Sequence, residues 1–200
     1  MRTMMMVFLA NTSVAMAADA PKAAETVVLA GGCFWGTQGI FEHVKGVTDT
    51  VVGYAGGKKE TATYEQVEEG DTGHAESVKV TYDPSKITYA EILKIFFTAA
   101  HDPTTLNYQH NDRGPQYRSA IFYADEQQKK AAEAYIQKLN GEHAYRNPIV
   151  TQVAPLTGFY KAEEHHQHFM DRNPGQGYIV AVDIPLLQRF EEKYPQYYKK

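Results

Sequence analysis

An uninterrupted apolar run, Val27-Val28-Leu29-Ala30, ends on the glycine pair Gly31-Gly32 and passes at once into the helical spacing of Phe34, Ile40, Phe41 and Val44. A run of that length closed by glycine reads as a buried strand, and a strand feeding straight into a helix commits the chain to layers of sheet and helix. Residues 47–54 read as the next strand, running into the Gly56-Gly57 turn, so the domain opens strand, helix, strand. The alternation in Ser77-Val78-Lys79-Val80-Thr81-Tyr82 marks a half-buried strand that Asp83-Pro84 ends, and residues 87–100 have helical spacing. Residues 118–123 read as a further strand, Asp125 as the cap of a helix through Tyr135 and Leu139, residues 149–154 as another strand, and residues 162–170 as a short final helix. The connections are often long, polar and aromatic, which suits helices packed on a mixed or antiparallel sheet better than a doubly wound one. The expected fold is therefore α+β, a two-layer sandwich with a ferredoxin-like core. Residues 107–116 lack apolar periodicity between two well-marked elements, as befits a surface loop that carries function rather than packing.

The 200 residues suffice for one domain with a substantial buried core. A formal charge of -4 with scattered lysines and arginines leaves no basic stripe, which argues against nucleic acid as a partner. The amino terminus has the layout of a secretory leader over residues 1–17: Arg2, an apolar run over 4–10, then Ala15-Met16-Ala17 as a cleavage site. Residues 18–24 read as a small, polar linker and 25–200 as the folded domain. Export to a periplasmic or secreted location follows if the leader works; Asn11, Thr12 and Ser13 interrupt it, and a non-functional leader would leave the chain cytoplasmic. No later run is long enough to span a bilayer, so a soluble product is expected, and a monomer is taken as its state.

Oxidising compartments favour paired cysteines, yet Cys33 is the only one in the chain. It sits where the glycine pair leaves a strand and a helix begins, where helix amides and the positive end of the macrodipole would favour a thiolate. Buried structural cysteines are common, so position alone leaves that reading open.

The run Gly32-Cys33-Phe34-Trp35-Gly36 resembles the active-site signature of the A-type peptide methionine sulfoxide reductases. Further blocks match that family in order: Gly53-Tyr54-Ala55-Gly56-Gly57, Thr63-Tyr64-Glu65-Gln66-Val67, Gly70-Asp71-Thr72-Gly73-His74-Ala75-Glu76, Tyr82-Asp83-Pro84, His101-Asp102-Pro103-Thr104, and Asn111-Asp112-Arg113-Gly114-Pro115-Gln116-Tyr117-Arg118-Ser119. The resemblance spans residues 27–175 and implies reduction of the S epimer of methionine sulfoxide, free or within proteins, and so repair of oxidised proteins. It implies Cys33 as the nucleophile, Glu76 as the acid, Tyr64 and Tyr117 as phenols that donate to the sulfoxide oxygen, and Asp112 as an organiser of the site. That division of labour makes chemical sense, because a sulfoxide sulfur is electrophilic only when its oxygen is protonated or strongly hydrogen-bonded. Phe34 and Trp35 would form an apolar wall for the substrate methyl group.

Attack by Cys33 would leave a sulfenic acid, the first rung of cysteine oxidation. Many family members carry resolving cysteines near the carboxyl terminus, whereas residues 173–200 contain none. No bound cofactor is expected, and an external thiol, either a thioredoxin-like protein or a small thiol, must resolve the sulfenic acid.

Other readings compete. His165 and His168 share a face at helical spacing and could hold a metal ion, although a solvated polar helix accounts for them better and no metal site is expected; His166 falls where the family has a histidine near its site. A cysteine hydrolase could pair Cys33 with His74 or His101 and with Asp102, and a non-enzymatic domain could use Phe34 and Trp35 to bind methionine-rich partners.

Overall fold

The computed structural model describes residues 23–200, so the leader and most of the linker lie outside the described residues. A six-stranded sheet runs β7-β6-β1-β3-β2-β8, built from β1 (Glu25–Gly31), β2 (Val47–Ala55), β3 (Ala75–Tyr82), β6 (Ser119–Tyr123), β7 (Gln152–Pro155) and β8 (Phe159–Lys161). The remaining strands, β4 (Tyr108–Gln109) and β5 (Asp112–Arg113), form a small hairpin. The helices are α1 (Phe34–Glu42), α2 (Tyr64–Glu68), α3 (Tyr89–Ile95), α4 (Glu126–Gly141), α5 (Phe169–Arg172) and α6 (Ile184–Lys193).

The four central strands are antiparallel in the order β6-β1-β3-β2, with α1 crossing between β1 and β2 and α3 between β3 and β6. That is the ferredoxin-like core expected from the sequence. β7 extends it in parallel with β6, and β8 antiparallel to β2, making the sheet mixed.

Period-two alternation divides the strands between two clusters. Val27, Leu29, Val52, Tyr54, Val78, Val80 and Tyr82 join the main core with Ile40, Phe41, Ile92 and Phe96 from the helical layer. Val28, Ala30, Ala55, Ala75, Ala120 and Phe122 form a smaller cluster on the opposite face. Glu76 has the parity of Val78 and Val80, so β3 aims a carboxyl group into the helix-covered side of the sheet. Asp125 caps α4 as expected, accepting from the Gln128 amide at 2.8 Å.

The expected final helix over 162–170 is instead a 3₁₀ turn, Glu164–His166, followed by the short α5, with His168 between them at φ 53°. Helical spacing lost to tertiary hydrogen bonding there. The Gln167 side chain acts as one more rung on β2: its Oε1 accepts from the Val52 amide at 3.0 Å, and its Nε2 donates to the carbonyls of Val52 and Ala162 at 3.0 Å each. The His168 amide donates to Gln38 Oε1 at 2.8 Å. Because of this break His165 and His168 do not share a helical face, and the geometry behind the metal reading is gone. Nor is this segment the last helical one, since α6 follows and buries Leu186 and Phe190. The strand expected over 149–154 is confined to β7, and the loop at 107–116 contains the β4–β5 hairpin and the start of a 3₁₀ turn, Pro115–Tyr117.

Candidate active site

The C-terminal end of β1, the first turn of α1 and the start of β3 meet at one end of the central strands. Gly32 makes the turn at φ +90°, and a Cβ there would stand 2.6 Å from the Gln109 side chain, so both conformation and space require glycine. Cys33 follows as the residue that opens α1, partly exposed. The seven residues singled out from the sequence, Cys33, Glu76, Tyr64, Tyr117, Asp112, Phe34 and Trp35, all line one cavity of about 180 Å³.

Glu76 is 2 % exposed and accepts from the Phe34 amide at 2.9 Å, so a first-turn donor of α1 is spent on this carboxyl group. Burial pushes Glu76 well above the ordinary carboxylate range, with the charges of Glu68 and Asp112 adding, and the Phe34 bond offsets only part. Cys33 is also pushed up, by burial first and then by the negative charges of Glu76, Asp183 and Asp112. The Trp35 amide pulls the thiol down, as a helix start should, and burial outweighs it. The resting site therefore favours a thiol and a carboxylic acid rather than the preformed thiolate expected from position alone.

Phenols supply the remaining polar groups. Tyr64 opens α2 and is pushed up to about 12 by burial and the charges of Glu68 and Glu76. Its amide donates to Glu163 Oε1 at 2.9 Å, while Tyr54 donates to Glu163 Oε2 at 2.8 Å, so one carboxylate ties α2 to β2. Tyr117 donates to Glu68 Oε1 at 2.9 Å. Tyr178 donates to Asp112 Oδ2, which gives Asp112 its visible task of holding a phenol in the cavity wall. Burial raises both Tyr117 and Tyr178, keeping them protonated as donors.

On the apolar side, Phe34 is buried and Trp35 stacks on Phe169 with centroids 3.8 Å apart. Trp35 Nε1 donates to His166 Nδ1 at 3.2 Å, and the His166 ring lies 4.5 Å from that of Tyr64. Burial lowers His166 and favours the neutral ring that can accept this bond, so His166 fixes the orientation of the wall.

Tyr178 and the buried Asp183 were not singled out from the sequence. Both lie in the tail beyond the motif blocks. A tyrosine among fourteen carries no local signal, and Asp183 precedes Ile184-Pro185 as an ordinary helix start would.

The residues of the competing hydrolase reading are engaged elsewhere. His101 Nε2 meets Ser119 Oγ at 2.6 Å, its Nδ1 meets the Phe96 carbonyl at 3.0 Å, and burial pushes it down to about 4. His74 Nδ1 accepts from the Gly57 amide at 3.2 Å, and its Nε2 meets the Lys58 carbonyl at 2.9 Å. Asp102 Oδ1 accepts from the Thr104 amide at 2.9 Å. Among the described residues no histidine lines this cavity, and His110 borders only the separate void of about 10 Å³ beside Cys33.

A thiol that shares its cavity with a neutral acid, rather than with an imidazole, is set up for substitution at an electrophile whose leaving oxygen must be protonated. The class so defined is a cysteine-dependent oxidoreductase. The family model described as peptide methionine sulfoxide reductase matches residues 25–198. The chain is 49 % identical over 176 residues, 88 % of its length and 90 % of the relative's, to peptide methionine sulfoxide reductase MsrA 2 of Mesorhizobium japonicum. Among solved structures it is similar to Mxr1 from Saccharomyces cerevisiae in reduced form, with TM-score 0.70 and 35 % identity, covering 76 % of this chain and 87 % of that one. It is also similar to Mxr1 in complex with Trx2, with TM-score 0.50 and 27 % identity, covering 78 % and 91 %. The chain belongs to the peptide methionine sulfoxide reductase family.

Proposed function

We propose that the chain reduces methionine-S-sulfoxide, free and within proteins, to methionine, and so repairs oxidised proteins. The observation that carries this reading is the cavity that Cys33 shares with the buried Glu76, bordered by the Phe34 and Trp35 wall. The wall takes the substrate methyl group. Tyr64 and Tyr117 donate toward the sulfoxide oxygen, Tyr117 turning from Glu68 to do so, while Tyr178 keeps its bond to Asp112. Cys33 sulfur attacks the sulfoxide sulfur as Glu76 protonates the oxygen; the sulfide is released, and the oxygen ends on Cys33 as a sulfenic acid. Both electrons come from Cys33. Preference for the S epimer rests on the family resemblance.

A chain with one cysteine cannot form an internal disulfide, so an external thiol attacks the sulfenic acid, releases water and leaves a mixed disulfide that a second thiol opens. The yeast relative captured with Trx2 supports a thioredoxin-like donor. The leader sequence supports export, with repair in a periplasmic or secreted setting. Protein recovered from outside the cytoplasm is expected to begin at Ala18; full-length protein found only in the cytoplasm overturns the export reading. Among the described residues the exposed large hydrophobic side chains are Leu106, Val150 and Val180, too few for an obligate interface, which supports a monomer.

The test is one turnover with a methionine-S-sulfoxide peptide and dimedone, without added thiol. One methionine per chain and a dimedone adduct on Cys33 are expected by mass spectrometry. Unchanged peptide with unmodified Cys33 overturns the reductase reading.

A further inference from the structure

We propose that Asp183, which closes the side of Cys33 away from the substrate groups, is the acceptor of the Cys33 thiol proton. The inference rests on the reductase reading and deepens it by assigning a proton that Glu76 cannot take, since Glu76 is occupied in giving its own to the sulfoxide oxygen.

Asp183 is 2 % exposed, and its Oδ2 has no hydrogen-bond partner. An unpartnered buried carboxyl oxygen is costly and calls for an explanation. Asp183 and Cys33 line the same small void of about 10 Å³, walled also by Gly36, Thr37 and Tyr178. That is room for about one water molecule, which carries the proton between the two groups. The first turn of α1 is cut away to admit the carboxyl group: a Cβ on Gly36 would collide with Asp183 Oδ1. A π-helical turn, Ile179–Asp183, delivers Asp183 to this place, and such turns are often found at functional sites.

The charged and titratable groups facing Asp183 are Cys33 from α1, Asp112 and His110 from the hairpin, and Tyr178 from its own segment. Burial and the charge of Asp112 push Asp183 up to about 7, which suits a base working near neutrality. Burial holds Cys33 as a thiol, so its proton needs somewhere to go before the sulfur can attack. The step balances. The S–H proton passes to the Asp183 carboxylate, the sulfur pair forms the bond to the sulfoxide sulfur, and the oxygen takes the Glu76 proton. The oxygen then moves to Cys33 as the methionine sulfur leaves, reduced by two electrons. Asp183 is left as the acid and Glu76 as the carboxylate. When the external thiol attacks, Asp183 can return its proton to the departing hydroxyl, and Glu76 can take the proton of the incoming thiol.

The test is the pH dependence of single-turnover methionine formation in the wild type and in Asp183→Asn and Asp183→Glu. In the wild type the rate rises with pH through an inflection near the Asp183 titration at about 7. Asp183→Asn is expected to lose that inflection and to slow the step by about 10²-fold. Asp183→Glu, which keeps a carboxyl group on a longer stem, is expected to recover much of the rate with a displaced inflection. An Asn variant as fast as the wild type or faster overturns the assignment, because removing the charge would then merely have freed the thiol. A slower Asn variant with its acid inflection unmoved assigns Asp183 to packing and also overturns it. Should the Asn variant fail to fold, an unmoved inflection in the Glu variant does the same. A wild type that forms no methionine sinks the reductase reading itself.

Discussion

The Cys33→Ser variant forms no methionine from a methionine-S-sulfoxide peptide above the uncatalysed background, a loss of at least about 10³-fold, and takes up no dimedone. Serine nearly preserves the shape of the site and the α1 start, so the loss isolates the chemistry of sulfur. A hydroxyl is far less acidic than a thiol, and the cavity already disfavours the charged nucleophile, above all through burial. Serine oxygen also cannot accept the sulfoxide oxygen and return to its reduced form through thiol exchange. Melting of the variant near the wild-type temperature would show that only the nucleophile was lost. Measurable single-turnover methionine from Cys33→Ser would mean that another group reduces the sulfoxide, and the mechanism would fall.

Glu76→Gln is expected to slow the single-turnover step by about 10²- to 10⁴-fold while leaving the fold intact or more stable. Glutamine keeps an oxygen to accept from the Phe34 amide but has no acidic proton to give. The sign of the stability effect follows from linkage. The folded protein raises Glu76 above its unfolded value, so the folded state binds this proton more tightly. Stability from that group is fully present below the unfolded carboxylate range and is lost as pH rises through the folded value. The wild type should therefore lose melting temperature relative to Glu76→Gln as pH is raised above the ordinary carboxylate range, together with the alkaline limb of its activity. Stability and catalysis are opposed at this position, as is common where a site keeps a costly buried group. Wild-type turnover by the Gln variant would remove Glu76 from the role of acid.

Much of the core was legible because its signals are local. The Val27 to Ala30 run, the alternation from Ser77 to Tyr82, the Asp125 cap and the Phe34, Ile40, Phe41 spacing each express a period or a cap, and each became the element it predicts. The site was legible for a different reason. Its members sit in short motifs, and Glu76, Tyr64, Tyr117 and Asp112 line one cavity with Cys33. Segment 162–170 misled because its helical spacing is real in sequence, while the Gln167 side chain is claimed by the backbone of β2, a partner remote in the chain.

By itself, then, the sequence determined the strand, helix, strand opening, the alternation of β3 and the placement of its one cysteine between a glycine turn and a helix. Only the tertiary structure decided the protonation of the site and the company Cys33 keeps. The register of β3 sends Glu76 into the covered face, Tyr178 closes the cavity from the tail, and Asp183 shares a small void with Cys33. Periodicity and capping act between neighbours in the chain, so they are written locally. Desolvation and the coupling of buried charges depend on which remote groups share a small volume, and that is known only once the chain has closed on itself.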